Sequence, residues 1–290
     1  AANSGQGKTQ GPGQGKTQEN GAQKGGNGPE QEDPVTGAGL QSVYASARGG
    51  VPGLWIDCLD YGRRLFLGGD EPWADPARFV SAFTQAQQLL KSDLIDVRAE
   101  DYAASWLKRD GAGLEPARRP TSDLKQILGD DGLRAGLLAV LATLGDLGRG
   151  CAGLALTLPS PRRWLRLCVE RAGGDTGEPL DEDHVEMAAM YVADFLRAFA
   201  ECGLSALLLE EDGDPGSNAL SLYQPVLNVA AGYQWGAGLL IPGSFETGPD
   251  AGVEACFVDP QAFSGLAEGG PARGVSVPAE YWGGKGEGFD

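Results

Sequence analysis

From Val51 onward the chain alternates short apolar runs with amphipathic stretches at helical spacing, and this alternation narrows the choice of fold more than any other feature. The runs Leu54–Cys58, Leu94–Val97, Gly153–Leu158, Ala206–Leu209, Gly238–Ile241, Ala255–Val258 and Gly274–Val277 read as strands. Between the first two, Asp75-Pro76 reads as a helix cap followed by proline at the first helical position. Phe79, Phe83, Ala86 and Leu90 then keep one face of that helix apolar. A second helix is predicted over about Asp131–Leu147, with Leu133, Leu137, Leu141 and Leu144 inward. A third, about Asp183–Glu201, turns Ala188, Tyr191, Phe195 and Phe199 inward and is stopped by Gly203. Strands separated by helices imply parallel βαβ units. With an eighth strand expected within Asp101–Pro120, the pattern predicts a (β/α)8 TIM-type barrel over residues 51–290, an open doubly wound sheet being the alternative. One barrel occupies about 250 residues, so the chain holds one barrel and a tail.

Residues 1–50 are rich in Gly, Gln, Asn and Lys, and the hexapeptide GQGKTQ occurs at 5–10 and again at 13–18. Such a segment buries too little apolar area to offset its conformational entropy, so a disordered tail without core contacts is expected. The Gly-Lys-Thr triplets do not make a phosphate loop. The glycine required five positions before Gly15 or Gly7 is replaced by Gln10 or Ala2, and no strand precedes either triplet. The start, Ala1-Ala2-Asn3-Ser4, has neither an apolar signal segment nor a methionine, and reads as processed or excerpted.

The formal charge of -17 comes entirely from beyond residue 50, because Lys8, Lys16, Lys24 and Arg48 cancel Glu19, Glu30, Glu32 and Asp33. A domain this acidic repels phosphate backbones, which argues against nucleic acid as a partner. No run approaches the ~18–20 apolar residues of a membrane span. Five scattered cysteines (Cys58, Cys151, Cys168, Cys202, Cys256) without a C-x-x-C pair suggest reduced thiols and a cytoplasmic location. With His184 the only histidine, no zinc site is expected.

The segments Pro52–Gly69, Phe79–Asp101, Leu154–Gly174 and Ala198–Asp212, taken in order, together resemble the uroporphyrinogen decarboxylase superfamily. Pro52–Gly69 is similar to its opening strand with a Trp and its arginine-bearing turn, matched here by Tyr61-Gly62-Arg63-Arg64-Leu65. Phe79–Asp101 resembles the next helix and strand, ending in an acidic residue. Leu154–Gly174 resembles the strand, proline turn and helix with a terminal glycine pair, and Ala198–Asp212 the helix and strand that follow. The likeness runs in order from Pro52 to Pro242 and fades after Gly243.

The resemblance implies a barrel with its site at the carboxyl ends of the strands, and one of two chemistries. Cofactor-free decarboxylation of pyrrole acetates needs cations for the carboxylates and an acidic group facing the pyrrole N–H groups. Arg63 and Arg64, with Tyr61 and Asp57 beside them, and Arg162 and Arg163 after a later strand are the candidate anchors. Glu100, where the family places an aspartate, and Asp101 are the candidate catalytic carboxyls, a helix N-terminus being the other reading of the pair. The family's tyrosine aligns with Leu167 and its serine with Glu211, which makes Glu210-Glu211-Asp212 a dense negative run suited to a cation or to solvent; Glu210 is kept as a site residue. Zinc-dependent methyl transfer needs a His-x-Cys pair where this chain has Leu240-Ile241-Pro242, so it loses its ligands. His184, in the first turn of its helix, is expected to be exposed, and Cys256 to be a small core residue.

The leading expectation is a divergent decarboxylase-like barrel that binds an anionic small molecule such as a tetrapyrrole without cofactor, and by the same resemblance a homodimer. A zinc-less methyltransferase-related barrel acting with a corrinoid is the second reading. A non-catalytic scaffold whose tail engages a partner is the third.

Overall fold

The structure, a computed structural model, describes residues 40, 54–56, 58–68, 73, 75–111, 114–148, 153–177, 179–213, 218–242, 252–258 and 272–276. Helix α1 (Cys58–Phe66) leads into α2 (Pro76–Leu90), strand β1 (Leu94–Arg98) and helices α3 (Ala99–Arg109), α4 (Pro120–Leu128) and α5 (Asp131–Gly148). Strand β2 (Gly153–Pro159) is followed by α6 (Pro161–Arg171) and α7 (Glu182–Arg197), and β3 (Leu204–Glu210) by the short α8 (Ala219–Leu222) and α9 (Gln224–Gly232). Strands β4 (Gly236–Ile241), β5 (Ala255–Val258) and β6 (Ala272–Val275) complete the described elements.

Local chemistry accounts for the helix boundaries. Asp75 Oδ1 accepts from the backbone N–H groups of Ala77 and Arg78 at 3.0 and 3.1 Å, and Pro76 opens α2. Two donors that the first turn leaves unpaired are thereby satisfied. Asp130 does the same for Gly132 and Leu133 at the head of α5. Phe79, Phe83 and Ala86 of α2 are buried, as are all four leucines expected to face inward from α5. Gly203, at φ 72°, takes the left-handed conformation that separates the helical turn after α7 from β3.

The six strands are all parallel and lie in the order β1-β2-β3-β4-β5-β6. Alternate residues point to opposite faces. Ile95, Val97, Leu156, Leu158, Leu207, Leu209, Leu239 and Ile241 form one core with the helices. Leu94, Ala155, Ala206 and Ala255 form a separate cluster on the other face with Leu40, Trp55 and Phe257. In a flat sheet β1 and β5 would stand about 19 Å apart, four spacings of ~4.8 Å. Yet Leu94 and Ala255 share that cluster. Trp55, on the segment bonded to the start of β1, stacks edge-on against Phe257 of β5 with ring centroids 5.3 Å apart. The sheet is therefore rolled around the small face, with Leu40 in its fold.

The roll does not close. Among the described residues β1 and β6 are not paired, so the expected eight-stranded closed barrel is replaced by an open parallel sheet of six strands. Two expected strands are not formed among the described residues. Leu54–Ile56 runs beside β1 and the Leu54 carbonyl accepts from the Asp93 N–H (2.8 Å), but Asp93 Oδ2 takes the Leu54 N–H (2.7 Å) and Ser92 Oγ the Ile56 N–H (2.9 Å), so side chains take the donors of a ladder, and Cys58 already begins α1. Of the stretch Asp101–Pro120, where a strand was sought, residues 101–109 lie in α3 and Pro120 opens α4. In α3 the acidic Glu100 and Asp101 in the first turn and the basic Lys108 and Arg109 in the last complement the helix dipole. Leu40, assigned by composition to a tail without core contacts, is fully buried. The remaining residues of the expected tail lie outside the described residues.

Candidate functional site

In β1, period-two alternation sets Leu94, Asp96 and Arg98 on the same face, and in β3 it does so for Ala206, Leu208 and Glu210. Their amino-terminal members belong to the apolar cluster around Leu40. Their carboxyl-terminal members are charged. Arg98 Nη2 lies 2.5 Å from Glu210 Oε2, and Arg98 Nε lies 3.6 Å from Asp101 Oδ2 one helical turn on. One layer in from Arg98, Thr157 Oγ1 donates to Asp96 Oδ1 at 2.7 Å, tying β2 to β1.

The third contribution comes from the turn after β2. Ser160 Oγ accepts from the Arg163 N–H at 3.1 Å and Pro161 opens α6, so Arg163 is delivered at a capped helix start. Its guanidinium spans two carboxylates, with Nη1 2.9 Å from Glu210 Oε1 and Nη2 2.7 Å from Glu100 Oε2. The second contact is close enough for an ion pair but is not aligned as a hydrogen bond. The result is a chain of alternating charges, Asp101–Arg98–Glu210–Arg163–Glu100, across the carboxyl ends of three consecutive strands. The side chains of Arg98, Glu210, Arg163 and Glu100 are 16–24% exposed. They can meet a ligand without being freely solvated.

Burial pushes the Glu100 carboxyl above the ordinary carboxylate range; Arg163 pulls it down, Glu210 and Asp101 push it further up, and Arg98 again pulls down. Burial works against the charge of Arg98 and of Arg163, but Glu210 outweighs it with its neighbours and holds both guanidiniums more firmly protonated.

The negative run after β3 separates into three environments. Glu210 is clasped by Arg98 and Arg163, and exposed Asp212 pairs with Arg166. Glu211 turns into the protein, 3% exposed, where Tyr223 Oη donates to its Oε1 at 2.5 Å. Ser160 Oγ lies 3.4 Å from the same phenol oxygen. Burial raises the Glu211 carboxyl, against the two hydroxyls and Arg162, which lower it, while Asp212 adds to the rise. Burial and the Glu211 carboxylate likewise push the Tyr223 phenol up. Glu211 therefore does not present its charge to a ligand at the strand ends.

Of the residues singled out in the sequence, Glu100, Asp101, Glu210 and Arg163 come together here. Arg162, half-buried in the first turn of α6, faces Glu211 electrostatically. Tyr61, Arg63 and Arg64 stand on α1, which is a helix and not the turn expected; it packs along α2 where Gly62 meets Ala82 and Ala86. Asp57 lies outside the described residues. His184 is exposed and Cys256 is buried, as expected. The residues that sequence reasoning missed are Arg98, Asp96, Thr157, Ser160 and Tyr223. Alternation along LIDVR signals the first two, whereas nothing near Tyr223 points to Glu211.

Among the described residues no three His, Cys, Asp or Glu side chains are grouped to hold a metal ion. No described helix is long and apolar enough to cross a membrane. No protein-family model matches this chain, and no curated protein matches it.

Proposed function

We propose that this chain is a divergent domain of the uroporphyrinogen decarboxylase type that holds a carboxylate-bearing small molecule at the carboxyl ends of β1, β2 and β3, with cofactor-free decarboxylation as its reaction. The observation that carries the reading is the convergence of Arg98 and Arg163, from the end of one strand and the turn after the next, with half-buried Glu100 beside them. Ligands of parallel α/β sheets bind outside the carboxyl ends of the strands, and a guanidinium fork matches a carboxylate in two parallel hydrogen bonds. In this reading Arg163 and Arg98 are the anchors. Asp101 orients Arg98 from the next turn. Glu100, whose carboxyl is raised by burial, is the acidic group that faces the pyrrole: it gives the ring a proton and, as the carboxylate left behind, stabilises the protonated ring from which CO2 leaves. Arg63, Arg64 and Tyr61 on α1 have a lesser, outer role. The run Glu210-Glu211-Asp212 does not oppose a polycarboxylate as its composition suggests, because each of its carboxyls has its own partner.

The test is titration with uroporphyrin, followed in the visible spectrum. Arg163→Ala should weaken binding about 10- to 100-fold, the value of roughly 1.5–3 kcal/mol for a charge-assisted hydrogen bond. Arg163→Lys should recover part of this, and Arg63→Ala should cost less than Arg163→Ala. A wild-type spectrum unmoved by uroporphyrin, or equal affinities across the series, would sink the reading. A response to a corrinoid alone would favour the methyltransferase-related alternative.

A further inference from the structure

We propose that an incoming carboxylate takes the guanidinium of Arg163 from Glu100, and that Glu100 binds a proton from solvent as it lets go. The inference rests on reading the cluster as an anion site and adds how that site is coupled to pH. Both Nη atoms of Arg163 are already engaged, one by Glu210 at 2.9 Å and one by Glu100 at 2.7 Å, so a ligand that takes both of them in its fork competes with the resident carboxylates. The two residents are not held alike. Glu210 is gripped from both sides, its second oxygen lying 2.5 Å from Arg98. Glu100 makes its close contact with Arg163 alone, and that contact is poorly aligned. Glu100 is the one to leave.

Once released, Glu100 remains among charges from every element around it: Glu210 on β3, Asp101 on its own helix α3, Arg98 on β1, and Arg163 on α6, whose charge the ligand now shares. Three resident carboxylates and that of the ligand then face two arginines in a half-buried setting. A proton on Glu100 relieves the excess. The exchange balances as ligand carboxylate plus the Glu100–Arg163 ion pair plus one proton giving the ligand–Arg163 ion pair plus neutral Glu100; no electrons move. Burial already favours the neutral form of Glu100 in the absence of a ligand.

Calorimetric titration of the whole chain with uroporphyrin, in two buffers of different ionisation heat, counts the protons taken up. Wild type should take up about one proton more than Glu100→Gln, and its affinity should fall up to about tenfold per pH unit relative to that variant as pH rises. Glu100→Gln should bind at least as tightly, since a neutral amide competes less for Arg163. Equal proton counts in wild type and variant would overturn the exchange and leave the anion site standing. A wild-type affinity that does not vary with pH would do the same without recourse to a variant. Failure of wild type to bind, or binding indifferent to Arg163→Ala, would instead remove the anion site and the exchange with it.

Discussion

The two ends of the rolled face of the sheet are built from the same strands and differ in almost everything else. At the amino end, Leu94, Ala155, Ala206 and Ala255 enclose Leu40, and glycines replace side chains where space is shortest. A Cβ at Gly236 would lie 2.5 Å from the Leu40 backbone nitrogen, and one at Gly238 would lie 2.6 Å from Leu208 Cδ1. Two to four residues further along, the same face carries Asp96, Arg98 and Glu210, charged and partly open to water. One end is filled by fit among apolar side chains. The other is held by compensated charge. In the proposed reading stability belongs to the first end and recognition to the second, and substitutions should separate the two.

The largest effect should come from Leu40→Ala. Truncating a buried leucine costs about 2–5 kcal/mol, so the thermal midpoint should drop by many degrees while uroporphyrin affinity, measured well below that midpoint, stays unchanged. A parallel loss of affinity would show that the two ends are not independent.

Next is Tyr223→Phe, which removes the hydroxyl that donates to buried Glu211. Leaving such an acceptor short of a partner costs about 1–3 kcal/mol. Chemical denaturation should show that loss, and an unchanged midpoint would mean that water replaces the phenol at no cost.

The smallest effect is a slope. Glu211 has a folded-state affinity for protons above its unfolded one, so the folded chain binds more protons in that window and is stabilised at its acidic side. This contribution is complete below the ordinary carboxylate range and is lost as pH rises through the raised value. Against Glu211→Gln, wild type should therefore lose stability as pH climbs from about 4.5 toward neutral. Melting curves that run parallel across that range would show that Glu211 titrates normally.

Much of the fold was legible in the sequence because the decisive chemistry was local. Asp75-Pro76, the leucine spacing of α5 and the apolar runs of β2, β3, β4 and β5 each depend on neighbours within a turn or a strand. Where it failed, distant side chains decided. Leu54–Ile56 is apolar enough for a strand, but Ser92 and Asp93 satisfy its donors first. The start of helix α3 was one of two readings of Glu100 and Asp101, but its course was not followed, because Arg98 stands at its cap with no capping side-chain bond. For the site, Glu100 and Glu210 were reached through resemblance, and Arg98 could have been reached through alternation. Tyr223 could not, since it meets Glu211 through the fold alone.

Leu40 also bears on the order of assembly. Its partners in the cluster range from Leu94 to Ala255, so its seat does not exist until strands spread over more than half of the chain have come together. Contacts of such long sequence separation form late, after loop closure has been paid for elsewhere. A residue that precedes its cluster's strands in the chain is thus seated near the end of folding. In kinetic terms, truncating Leu40 should leave the refolding arm of a chevron nearly in place and raise the unfolding arm, as for a contact absent from the transition state. The anchor at the amino end would then govern how long the folded domain lasts more than how quickly it forms.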